Sequence, residues 1–166
     1  MISETSKWRH ITAPYCTGNG IDVGSGGDPI VPWAIQVDLP EAEFARYNDG
    51  QKSVIQWRGS CWHLPFVGNS LDFVYSSHLI EDFTPGEQAN LLRYWSWLLK
   101  SGGHLVILAP EATRWAAAVA AGQPPNCAHK HELAVGEIRA MVPELFVIRD
   151  EIPGDDYSLL FVGRKQ

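Results

Sequence analysis

The sequence predicts an α/β chain: a mostly parallel sheet with helices packed on it, closed by one antiparallel strand from a C-terminal hairpin. Three observations predict it. Short apolar runs alternate with segments of helical periodicity, and one run, His104 to Ala109, is apolar almost throughout, as in a strand buried on both faces. The first run, Gly20 to Val23, opens directly into Gly24-Ser25-Gly26-Gly27-Asp28-Pro29, a loop whose backbone must turn sharply. Near the end, Pro153-Gly154-Asp155-Asp156 separates two β-rich runs, Phe146 to Ile152 and Ser158 to Arg164.

Taken in order, residues 1–19, with Trp8, Ile11 and Tyr15, are expected to form a short helix or lid on the sheet. The strand Gly20 to Val23 and its glycine loop follow. Ala34 to Asp38 already reads as the next strand. A parallel crossover normally needs a dozen or more residues including a helix, so the first helix is expected to be shortened or absent. Pro40 to Tyr47 reads as a short helix, Ser53 to Trp57 as a third strand and Leu71 to Ser76 as a fourth. Thr84-Pro85-Gly86-Glu87 is a capping box with proline at the first helical position. Leu91, Leu92, Trp95, Leu98 and Leu99 then recur at helical spacing, and Gly102-Gly103 predicts the stop. Ala112 to Ala121 and Val135 to Val142 are further helices, separated by the loop Gln123-Pro124-Pro125-Asn126.

Length and composition narrow the function classes. The 166 residues suit one domain, 45% hydrophobic and 19% charged, which excludes a disordered chain. A net charge of −6 without a run of Lys or Arg argues against a nucleic-acid partner. Met1 to His10 carry no apolar run, so neither a signal peptide nor a membrane span is expected. Cys16, Cys61 and Cys127, odd in number and widely spaced, read as reduced thiols in a cytoplasm. A monomer or homodimer is expected.

Four segments, in this order, resemble the motifs of class I S-adenosylmethionine-dependent methyltransferases, in particular the small methyltransferase-domain, type 11-like group. They are Asp22-Val23-Gly24-Ser25-Gly26-Gly27; Asp38 at the end of the second strand; Leu64-Pro65-Phe66 with Ser70-Leu71-Asp72-Phe73-Val74 and Ser76-Ser77-His78-Leu79-Ile80-Glu81-Asp82; and Leu98-Leu99-Lys100-Ser101-Gly102-Gly103-His104-Leu105. The resemblance implies a Rossmann-like, doubly wound sheet of seven strands with the last antiparallel, and S-adenosyl-L-methionine as cofactor. It also implies the cofactor-binding residues: Asp22, Gly24, Ser25, Gly26, Gly27, Asp38, Leu39, Ser60, Cys61, Trp62 and Ser77. The residue chemistry agrees. Loop N–H groups suit the cofactor's carboxylate, Asp38 suits two ribose hydroxyls, and Trp62 suits stacking on the adenine. Two positions depart from the family pattern: Asp28 stands where its third glycine falls, and Ser60 where an acid is frequent. With the missing helix N-terminus these predict modest affinity.

The acceptor is expected between residues 1–19 and a substrate-side insertion, 111–132, with Trp115 as a wall. His78, at the mouth of the fourth strand, and His129 and His131 are the candidates for orienting or deprotonating a nucleophile. Their plainer reading is a capping or buried neutral imidazole, and Glu81 and Asp82 read as solvated or helix-capping. Cys127-Ala128-His129-Lys130-His131-Glu132 matches no zinc spacing, so no metal is expected. The expected function is methyl transfer to oxygen or nitrogen of a small-molecule acceptor. The alternative is an S-adenosylmethionine-binding module without catalysis, acting as a regulatory or assembly partner. Gly24-x-Gly26-x-x-Pro29 lacks the third glycine of a nicotinamide-binding loop.

Overall fold

The computed structural model describes residues 3–47 and 54–166. Seven strands form one sheet: β1 (Gly20–Val23), β2 (Ile35–Asp38), β3 (Trp57–Arg58), β4 (Leu71–Ser77), β5 (Leu99–Pro110), β6 (Leu145–Glu151) and β7 (Ser158–Lys165). Their spatial order is β3-β2-β1-β4-β5-β7-β6. Pairs from β3 through β5 are parallel, and β7 runs antiparallel to both β5 and β6. This is the Rossmann-like α/β arrangement, and the order reverses between β1 and β4, where such sheets open a crevice at their carboxyl ends.

Along β5 the side chains alternate between two cores. Leu105, Ile107 and Ala109 pack with Leu91, Trp95 and Ile138 on the face covered by α3 (Pro85–Leu98) and α5 (Glu137–Met141). Val106 and Leu108 pack with Trp8, Ile30 and Val31 on the other, under α1 (Glu4–Thr12). That second face is thinner, because no helix forms between β1 and β2, as the short spacing predicts. Glycines at positive φ (Gly24 at 75°, Gly26 at 58°, Gly27 at 83°) carry the turn instead. Among the described residues no helix is long and apolar enough to cross a membrane.

The main departures from the expected boundaries are at the third strand and at the end of the long helix, where the fifth strand begins at Leu99 rather than His104. Of the third strand expected over 53–57, residue 53 lies outside the described residues, and β3 itself is confined to Trp57–Arg58. The helix expected to run to Gly102 stops at Leu98; Leu99 is extended (ψ 142°) and already pairs with Leu71. The physical reason is a cap from the far end of the chain. The Lys165 ammonium donates to the carbonyls of Ser96 (3.2 Å), Trp97 (3.3 Å) and Leu99 (2.8 Å), and to Asn69 Oδ1 (2.8 Å). A cation at a helix C-terminus also meets the negative end of its dipole. Lys165→Met, which keeps the stem and removes the donors, is expected to lower stability by about 1–2 kcal/mol in a urea titration. An unchanged midpoint would show that the helix stop does not depend on this cap.

Candidate active site

The crevice is a cavity of about 350 Å³ at the carboxyl ends of β1, β2 and β4. Gly24, Gly26, Asp38, Leu39, Cys61 and His78, all singled out in the sequence, line it together with Val23, Val37, Leu79, Asp82 and Phe83. Gly24 leaves β1 with its N–H on the Val37 carbonyl (2.8 Å), and a Cβ there would stand 3.0 Å from Leu79, so the backbone itself forms that wall. Asp38 splints the loop to β2. One carboxylate oxygen accepts from the Gly26 N–H and the other from its neighbour Leu39, both at 2.8 Å. Burial pushes this carboxyl up, against the pull of the Leu39 and Gly26 N–H groups.

The other predicted cofactor residues do not line the cavity, and of these Asp22 and Ser25 brace the glycine loop. Asp22 is fully buried and accepts from the Ile30 N–H at 2.7 Å, which holds the descending limb of the loop. Ser25 Oγ donates to Gln36 (3.3 Å) and accepts from Gly27 N (3.4 Å). Ser77 is buried at the end of β4. Ser60 is exposed and its hydroxyl accepts from Trp62 N at 3.2 Å. Trp62, expected to stack on the adenine, lies instead in a shallower groove with Leu64, Tyr94 and Trp97, packed edge to face against Phe83 with ring centroids 5.6 Å apart. Phe83 is the aromatic ring that faces the cavity. Its only signal in the sequence is its place between the His78-to-Asp82 segment and the capping box.

Asp28 has a use that its position in the motif does not suggest. Its carboxylate turns away from the cavity and accepts from Ser6 Oγ (2.7 Å), from Ser3 Oγ and from the Arg9 guanidinium, all on or at the start of α1. Although burial pushes it upward, these three donors hold the carboxyl below its usual range. The departure thus clasps α1 to the glycine loop. Lys7 pairs with Asp156, and the Trp8 indole donates to Ser158 (3.2 Å), which fastens the same helix to the hairpin loop.

Beyond His78 the structure gathers a second constellation. His78 sits at φ 52°, a strained conformation for a residue with a Cβ, on the turn leaving β4. Its Nδ1 lies 3.6 Å from Glu81 Oε1 and its Nε2 3.8 Å from Glu4 Oε2. His129 Nε2 approaches the same Glu81 oxygen at 3.6 Å, and its Nδ1 meets Glu132 at 3.1 Å. Glu81, expected to be solvated, is 1% exposed; the N–H groups of Lys130 and His131 on its carbonyl fold the 126–133 segment over it. Asp82, expected likewise, lines the cavity. Burial, reinforced by His129, pushes the His78 imidazole down to about 4, and burial raises Glu81 well above the carboxylate range. His131 stands apart, 3.3 Å from Glu137. The Cys61 thiol is pushed up to about 11 by burial and is no nucleophile. Among the described residues no group of His, Cys, Asp and Glu could hold a metal ion.

The profile of the methyltransferase domain family matches residues 21–107, from β1 through the glycine loop and the strand-four turn into β5. The chain belongs to this family. Its membership implies S-adenosylmethionine as the cofactor of the fold. The methyltransferase sheet is shared with a SAM-dependent methyltransferase from Archaeoglobus fulgidus (15% identity, TM-score 0.71, covering 97% of this chain and 92% of that one). It is shared also with a protein of Bacillus halodurans assigned as a methyltransferase (15% identity, TM-score 0.66, 98% of each chain). An O-methyltransferase family 2 protein from Planctomyces limnophilus, solved with apigenin, matches at 18% identity and TM-score 0.67, over 98% of this chain and 57% of that one. No curated protein matches the sequence significantly.

Proposed function

We propose that this methyltransferase domain is a cytoplasmic enzyme that binds S-adenosyl-L-methionine in the β1–β2–β4 crevice and methylates oxygen or nitrogen of a small-molecule acceptor. The observation that carries it is the placement of the Asp38 carboxylate and the bare backbone of Gly24 and Gly26 on one cavity with apolar walls. The residues fit the cofactor's parts. A carboxylate suits a vicinal diol, glycine N–H groups suit an amino-acid carboxylate, and Leu39, Cys61 and Phe83 suit a flat purine. When bound, the cofactor supplies an electrophilic methyl group on a sulfonium.

The chain's own part is alignment and a proton. Walls that fix donor and acceptor in line account for much of the acceleration such a displacement needs. His78 lines the cavity, burial keeps its imidazole neutral, and Nε2 has no hydrogen-bond partner. With Nδ1 turned to Glu81, Nε2 is the atom we assign to take the acceptor's proton, once the acceptor displaces Glu4, 3.8 Å away, from in front of it. His129 acts through Glu81 and is a positioning residue; His131 has no part in this arrangement. Calorimetric titration with S-adenosylmethionine and with its demethylated product tests the reading. Both are expected to bind, and a folded protein that takes up neither would overturn it. Binding without turnover on any acceptor would instead favour a partner module.

A further inference from the structure

Among the described residues the crevice is walled by two acidic side chains, Asp38 and Asp82, and by no Lys or Arg. The two acids are employed differently. Asp38 closes β2, and its two oxygens are taken up by the N–H groups of Gly26 and Leu39. Asp82 ends the single turn Ile80–Asp82 that follows His78, and it is half-buried. Its own N–H is on the Leu79 carbonyl at 3.1 Å, which fixes the backbone. Its carboxylate has neither hydrogen bond nor ion pair among the described residues. The basic side chains that act on it from a distance have other partners: His129 meets Glu132 at 3.1 Å, and the Lys130 ammonium lies 3.7 Å from Glu87. Burial pushes the Asp82 carboxyl up and these two pull against it, the balance of an acid drawn from water with no cation beside it.

A cavity walled in this way selects for charge. A phosphate or carboxylate placed beside Asp82 would face an anion with no cation to offset it. A neutral hydroxyl would gain one hydrogen bond. A positive charge gains more, because the acid it meets is half withdrawn from water. S-adenosylmethionine brings such a charge on its sulfur. With its ribose on Asp38 and its amino-acid end on the glycine loop, the sulfur that joins them would fall to the remaining wall, made by His78, Leu79, Asp82 and Phe83. The demethylated product has the same purine, ribose and amino acid, but its sulfur is a neutral thioether.

We propose that Asp82 is the counter-charge to the cofactor's sulfonium, and that it distinguishes the methyl-bearing cofactor from its spent form. This rests on the reading of the crevice as an S-adenosylmethionine site. Asp82 is then a specificity-determining residue: it holds the charged form before transfer and has nothing to hold afterwards. When the S–CH3 bond breaks, its electron pair stays on sulfur and the positive charge there is gone, so the product leaves more readily than the cofactor.

The test is calorimetric titration of the full chain at low salt and about pH 8, above the ordinary carboxylate range, and it needs no acceptor. The wild type is expected to bind S-adenosylmethionine about fivefold or more tightly than the demethylated product. Asp82→Asn, which keeps the shape and removes the charge, is expected to bring the two affinities together by weakening S-adenosylmethionine alone. Asp38→Asn, whose part is the ribose common to both compounds, is expected to weaken both and keep the preference. No preference in the wild type, or a preference that Asp82→Asn leaves intact, overturns the proposal. The two readings fail differently. A folded wild type that binds neither compound sinks the cofactor site and this assignment with it; binding of both with equal affinity sinks the assignment alone.

Discussion

Asp38→Ala is expected to weaken S-adenosylmethionine binding by about a hundredfold or more, the loss of two hydrogen bonds to a charged acceptor. The same substitution frees the N–H groups of Gly26 and Leu39, which now share the two carboxylate oxygens. The glycine loop therefore loses its splint as well as its ligand, and a fall in stability of about 1–3 kcal/mol should accompany the lost affinity. Asp38→Asn separates the two effects. An amide keeps one acceptor for the loop but accepts a diol poorly, so its stability should recover more than its affinity. Calorimetric titration beside a denaturant melt reads both quantities. Full affinity in Asp38→Ala would move the ribose site elsewhere in the crevice.

Asp22→Asn is expected to flatten the dependence of stability on pH. Burial pushes the Asp22 carboxyl up to about 8, only partly opposed by the Ile30 N–H. In the unfolded chain the group has an ordinary value of about 3.9. The folded state therefore keeps a proton that the unfolded state gives up. Its contribution is whole below about pH 4 and is lost as pH rises toward about 8, with a slope near 1.4 kcal/mol per unit. An asparagine in its place can still accept from Ile30 and has nothing to titrate. The wild-type chain should lose about 4 kcal/mol between about pH 5 and pH 8 relative to the variant. Glu81 shifts in the same direction, so some slope remains in Asp22→Asn. Parallel urea titrations at about pH 5 and pH 8 decide the matter. Identical slopes in the two proteins would mean that Asp22 is ionised in the folded state.

What was legible in the sequence is what local chemistry encodes. The glycine run, the acid closing β2, the capping box of α3 and the apolar β5 each declare themselves within a few residues, and in this family their order specifies the sheet. The spacing between β1 and β2 was enough to exclude a full crossover helix. The features that escaped are those made by distant partners. Gly102 looks like a helix stop, yet Lys165, more than sixty residues away, ends α3 four residues earlier. Glu81 reads as solvated beside Asp82, and it is buried because the 126–133 segment hydrogen-bonds across its carbonyl. Trp62 has the composition of an adenine wall, but the cavity is closed by Phe83, against which Trp62 packs. Periodicity and motif cannot register such choices, since each depends on which of two neighbouring side chains the tertiary packing turns inward.

The clasp at Asp28 makes α1 and the glycine loop mechanically one unit. The carboxylate that leaves the glycine loop is held by Ser3, Ser6 and Arg9 of the helix that also carries Glu4. A compound that shifts α1 must therefore pull on the loop beside Gly26 and Gly27, and one that orders the loop must steady the helix. Thermodynamic reciprocity then requires the two effects to be equal in free energy. Asp28→Ala, which opens this joint, is expected to abolish any effect that a ligand at α1 has on a ligand at the loop.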